Sequence, residues 1–261
     1  MNRIKPFITL TVGLFIAAYG AFAQSGSSGG EMSVEEAYLQ ESVEMMIIRE
    51  QSRSDDRDGK LVALEYIREA IEGGNTSDEI RGALEYMGLE GILNQTRENG
   101  RLMNNFPDVR ARAAEYLGNL GTPEARDALV KMLLIDNEPM VLTQVVASLR
   151  KVFNAGVTEN SEESASAVAW ILRRYDNIHP DNLLALSALD YFDLCGRSGG
   201  GIKDPAVIEV IRRVAVGRYI RPVQDRAKTL LSNLIKYSQQ SGGSQSRQQA
   251  TPPAPGTGNT P

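Results

Sequence analysis

An apolar face returns along this chain at the interval of a helical hairpin, and no other feature of the sequence restricts the fold as tightly. Val109, Ala113, Leu117 and Leu120 are three and four residues apart, which places them on one side of an α-helix. The face recurs as Val141, Val145, Leu149 and Val152, a shift of 32, then as Leu184, Ala188, Phe192 and Cys195, and again as Val223, Ala227, Leu231 and Leu234. Upstream, Glu85-Tyr86-Met87-Gly88 echoes Glu115-Tyr116-Leu117-Gly118 at a shift of 30. Intervals of 30 to 43 residues are those of stacked helical hairpins, because a single hairpin cannot bury its apolar face without a neighbour of the same kind. The expected class is therefore all-α, an α-solenoid.

The three-and-four spacing predicts helices over 34–53, 59–72, 77–88, 92–102, 107–120, 123–135, 139–153, 162–175, 181–195, 205–216 and 221–237, about five hairpins and a terminal helix. Pro107, Pro123, Pro139 and Pro205 fall in first turns, where a missing N–H leaves no bond unmade. Thr122 and Asp204 precede two of these prolines as N-cap candidates. Gly121, Gly156, Gly196 and Gly217 stand near helix ends.

The tract 107–136 opens on Pro107-Asp108-Val109-Arg110, carries the Ala113-Ala114 pair, closes its first helix on Leu117-Gly118-Asn119-Leu120-Gly121 and starts its second on Thr122-Pro123-Glu124-Ala125-Arg126. It resembles a HEAT repeat, of the bacterial type named after the phycobilisome lyases. The flanking units keep the apolar face and depart from the motif: 139–175 has Leu142 in place of the arginine, and 181–217 has a glycine-rich loop between its helices. The resemblance implies architectural roles, with Asp108 capping the first helix and Arg110 pairing between adjacent repeats. It also implies that second helices line one surface of the stack. A lyase-like or enzyme-accessory role follows from the family name alone.

Outside the repeats, residues 1–23 read as an export signal. Arg3 and Lys5 precede the apolar run 7–18, and Ala21-Phe22-Ala23 supplies a small-residue cleavage site. The run is shorter than the ~20 apolar residues of a membrane helix. Cleavage after Ala23 gives an exported protein without a membrane span, and a bacterial periplasm is the expected compartment. A polar linker covers 24–33, the solenoid 34–237, and a Gln/Ser/Gly/Pro-rich tail, too polar to bury a core, 238–261.

Composition narrows the chemistry. The single Cys195 excludes an intramolecular disulfide framework and multi-thiolate metal sites, and the single His179 excludes zinc sites built on several imidazoles. With 28 Lys+Arg against 33 Asp+Glu the net charge is −5, so a domain-wide basic footprint for nucleic acid is absent. No catalytic centre, cofactor or metal site is expected. The nearest thing to a metal site is 54–65, where Asp56, Asp58, Gly59, Leu61 and Glu65 fit an EF-hand frame while Ser54 and Val62 do not. The alternative there is an acidic turn entering a helix, and a calcium-responsive module stands as an alternative function. The glycine-rich stretch 196–203 could cradle an anion ahead of a helix, or be a plain inter-helix insertion. His179 reads as a turn residue, Cys195 as a small core hydrophobe, and Trp170 as core in preference to an exposed anchor.

The remaining candidate is a ledge of cations near the C-terminal ends of successive second helices: Lys131, Arg173, Arg174, Arg212 and Arg213. On an acidic protein such a ledge selects an acidic partner. Cations at helix C-termini also have a purely local reason, the helix dipole. Taken together, the sequence predicts an exported scaffold or adaptor that binds protein partners in a cell-envelope assembly.

Overall fold

A computed structural model of the chain describes residues 34–199 and 201–248. The expected signal and linker, and residues 249–261 of the tail, lie outside the described residues. The chain divides into two units, Met1–Val43 and Glu44–Pro261. Of the first, only the opening turns of α1 are described. The architecture below is that of the second.

The helices are α1 (Val34–Ser52), α2 (Arg57–Glu72), α3 (Asp78–Gly88), α4 (Pro107–Leu120), α5 (Pro123–Ile135), α6 (Pro139–Asn154), α7 (Ser161–Ile178), α8 (Asn182–Ser198), α9 (Pro205–Val216) and α10 (Arg221–Gln248). Local chemistry starts and stops them. Thr122 Oγ1 accepts from the Ala125 N–H at 3.2 Å, Asp181 from Leu184 at 2.8 Å and Asp204 from Ala206 at 2.8 Å, each satisfying an N–H that has no partner inside the helix. The four predicted prolines each begin a helix. At the other end of α4, Gly121 sits at φ 63, the left-handed turn that breaks the helix without a Cβ penalty. Helix α10 continues past the predicted end at 237 to Gln248, so the first part of the expected tail is helical.

Packing sorts these helices into two layers. In the first, α2, α4, α6, α8 and α10 pack in succession; in the second, α3, α5, α7 and α9 do the same. The recurring face lies between them. Val109, Ala113, Leu117, Val141, Val145, Leu149, Leu184, Ala188, Phe192, Val223, Ala227 and Leu234 are all buried, while Leu231 is partly buried at the end of the stack. The α4–α6 contact is the most extensive, and at Gly118 it is tight. A Cβ added there would meet Ser148 Cβ at 2.7 Å, so the glycine in the Leu-Gly motif lets two helix backbones approach.

One predicted helix is absent. Residues 92–102 form instead the tip of an insertion between α3 and α4, with a short antiparallel pair β1 (Arg97–Glu98) and β2 (Arg101–Leu102) in the register Arg97↔Leu102, Glu98↔Arg101. Asn99 at φ 49 and Gly100 at φ 80 turn the hairpin, two left-handed residues in the sequence order that such a turn requires. At its root Asn104 is buried, accepting from the Thr96 N–H at 2.9 Å and donating to Asn94 O at 2.7 Å and Glu90 Oε1 at 3.3 Å. Glu90 in turn holds the fully buried Lys60 at 2.5 Å, and Lys60 donates to Ser52 O at 3.1 Å and lies 5.6 Å from the Tyr86 ring centroid. A polar knot thus joins the end of α1, α2, α3 and the insertion.

The motif residues Asp108 and Arg110 both make links beyond their own helix. Asp108 accepts from Arg57 Nη2 at 2.6 Å, which links α4 to α2 in the preceding hairpin. Arg110 is buried, donating from Nε to Asp136 Oδ2 at 2.8 Å within its own hairpin and from Nη1 to Asn105 Oδ1 at 2.8 Å and, more loosely, to Glu90 O at 3.4 Å in the insertion. Asp136 also accepts the N–H groups of Asn137 and Glu138, so the pair closes the turn after α5.

Candidate functional site

The five ledge cations fall on three consecutive helices of the second layer: Lys131 on α5, Arg173 and Arg174 on α7, Arg212 and Arg213 on α9. Three of them reach back to the element before. Lys131 Nζ meets Glu85 Oε1 on α3 at 2.9 Å, Arg174 Nη2 donates to Asn137 Oδ1 after α5 at 2.8 Å, and Arg213 meets Asp176 at 2.9 Å and Asn177 at 2.7 Å on α7. Each joins one repeat to the next in partly solvated surroundings, where an ion pair contributes well under about 1 kcal/mol. The other two point outward: among the described residues Arg212 pairs only with Glu209 on its own helix, at 3.2 Å, and Arg173 is exposed.

Trp170 belongs to this face and not to the core where sequence reasoning put it. It is 46% exposed, with the Arg174 guanidinium 6.0 Å from its ring centroid. The helix explains the misreading. Val168, Ala169, Ile171 and Leu172 fill the buried side of α7, and Trp170 interrupts that apolar run on the opposite side. Leu134 on α5, Ile178 on α7 and Val216 on α9 are further exposed hydrophobic residues of the same three helices.

The first layer carries a site that sequence reasoning missed. Arg150 of α6, Asp190, Asp193 and Arg197 of α8, and Arg226 of α10 border a cleft of ≈ 240 Å³, together with Asn154. The buried Asp193 accepts from Arg197 Nη2 at 2.6 Å, Arg226 Nη2 at 3.0 Å and the Tyr237 hydroxyl at 3.0 Å. Burial pushes the Asp193 carboxyl up, but those three hydrogen bonds outweigh it and hold the group below the usual carboxylate range. Asp190 accepts from Arg226 at 2.9 Å and, more loosely, from Arg150 at 3.5 Å. A signal existed in the chain: Arg150, Asp190 and Arg226 recur at separations of 40 and 36, the repeat interval.

The other candidates resolve into structural roles. Residues 57–65 of the EF-hand frame are helical, with Asp56 capping α2 through the Gly59 N–H at 3.2 Å and Glu65 bonded to Arg68 at 2.5 Å. The frame's donors are strung along a helix, and among the described residues no group of three acidic, His or Cys side chains is placed to hold a metal. In the glycine-rich stretch, residues 196–198 extend α8, Arg197 turns to Asp193, and the α9 N-terminus that an anion would need is capped by Asp204. Burial pushes the Cys195 thiol up to about 11, which leaves it an unreactive core thiol. His179 is exposed at the end of α7.

Stacked, antiparallel helix pairs in two layers define an α-helical repeat solenoid. Residues 101–188 match the family of HEAT repeats, a span that begins in the insertion and runs through α4 to the first turns of α8. No curated protein and no solved structure matches the chain. Among the described residues no helix is long and apolar enough to cross a membrane.

Proposed function

We propose that this protein is an exported, periplasmic scaffold or adaptor, without catalysis of its own, that binds protein partners of a cell-envelope assembly through its second helix layer. The observation that carries the reading is Trp170, an exposed aromatic side chain held by Arg174 and next to the outward-facing Arg173. Partly exposed Trp and Arg are the residue types that dominate interface energetics, and they cost little ordering entropy when already held in place. HEAT repeats commonly serve as such scaffolds, offering a long surface made by stacking. The charged n-region, apolar run and Ala21-Phe22-Ala23 site support export. An acidic partner fits Arg173 and Arg212.

The test is affinity capture from envelope extracts with the wild-type chain and with W170A. A stoichiometric partner recovered by the wild type and lost by W170A, at equal helicity, is the expected result; a partner recovered equally by both overturns the role of this face. Intact mass of the protein isolated after export should correspond to a chain starting at Gln24. Retention of residues 1–23 in a membrane fraction contradicts the periplasmic assignment.

A further inference from the structure

The cleft on the first layer has a charge balance that its own residues do not complete. Three guanidinium groups, of Arg150, Arg197 and Arg226, face two carboxylates, of Asp190 and Asp193. Arg197 and Arg226 are fixed by Asp193, and Arg197 Nε also donates to the Tyr237 hydroxyl at 3.0 Å. Among the described residues Arg150 is held only by its 3.5 Å contact with Asp190, and it is 40% exposed. We propose that this cleft is a carboxylate-binding site for an acidic segment of a partner protein, on the layer opposite the Trp170 face and independent of it.

The chemistry favours a carboxylate over other anions. One surplus positive charge matches one monoanion, and a planar carboxylate fits the planar fork of Arg150, with the Asn154 amide at the same cleft as a further donor. A dianionic phosphate exceeds the surplus and meets the repulsion of Asp190 and Asp193. The fixed arginines lower the ordering cost of binding, because two of the three side chains already stand in one geometry. Arg150, the loosely held member, supplies the new bond when a carboxylate arrives.

Hexaglutamate titrated against the full chain at low salt is the direct probe, with inorganic phosphate and hexaglutamine as the comparison ligands. Wild type should bind hexaglutamate well above hexaglutamine. R150Q should weaken that binding about tenfold or more, the effect of losing one charge-assisted hydrogen bond, with the melting temperature unchanged because Arg150 makes only the long contact to Asp190. R150K, which keeps the charge and loses the fork, should fall between the two. R101Q, at an exposed arginine of the insertion that belongs to neither face, should bind hexaglutamate as wild type does. Equal affinity of wild type and R150Q overturns the site. Phosphate binding as tightly as hexaglutamate overturns the carboxylate assignment.

Discussion

Leu117 shows what a single residue contributes to a stacked helical protein. Its side chain is fully buried on α4, beside Gly118, where α4 and α6 of adjacent repeats approach closely. L117A removes its contacts at a site where the neighbouring backbone has little room to collapse inward, so a loss of about 2 to 5 kcal/mol is expected in urea denaturation. Asp193 makes a pH-dependent contribution. Its folded carboxyl titrates below its unfolded value of about 3.9, so the unfolded state binds more protons in the acid range. The stabilisation is complete above that unfolded value and is lost as pH falls through the folded one. Urea midpoints measured between neutral pH and pH 3 should therefore fall steeply for wild type and less steeply for D193N, with D193N the less stable protein at neutral pH.

At the scale of elements, the sequence was most legible where one periodicity governed. The faces of α4, α6 and α8 were read residue by residue, because burial in a solenoid repeats with the helical spacing and little else competes with it. The insertion was misread for a physical reason: Ile92 and Leu93 follow Leu89 at the helical spacing of three and four, and the Asn99-Gly100 turn that settles the matter is only a two-residue signal. Trp170 was misread by the same weighting of apolar runs over the position of each residue around the helix. The arginine cleft escaped because its members are on three different helices, and only the stacking brings them together. The knot at the root of the insertion gives the test of its structural importance. K60M leaves the Glu90 carboxylate buried without its counter-charge and should cost about 3 to 5 kcal/mol, whereas K60M/E90Q should recover much of that loss because the remaining amide still accepts from Asn104. Chemical denaturation of the two variants side by side distinguishes an electrostatic knot from simple packing.

For the whole molecule, the cations of the second layer divide into two groups with different expected behaviour. Lys131 and Arg213 join neighbouring repeats, so their removal should slightly lower stability and leave partner affinity near wild type, whereas Arg174 both joins repeats and holds Trp170. Arg173 and Arg212 face outward, and R173E/R212E should mainly slow association with an acidic partner and flatten its salt dependence, at unchanged helicity. Stopped-flow association at low and moderate salt with the captured partner separates the two groups. The bridges between repeats have one more consequence, which concerns time. Among the described residues the longest-range side-chain hydrogen bond, Arg57 to Asp108, closes over only 51 residues, and most of the others that join one repeat to the next close over 30 to 46. Each hairpin therefore needs only its immediate neighbour to be in place. A chain emerging from a ribosome can settle its first repeats while its last are still being delivered, each new hairpin growing onto the end of the one before.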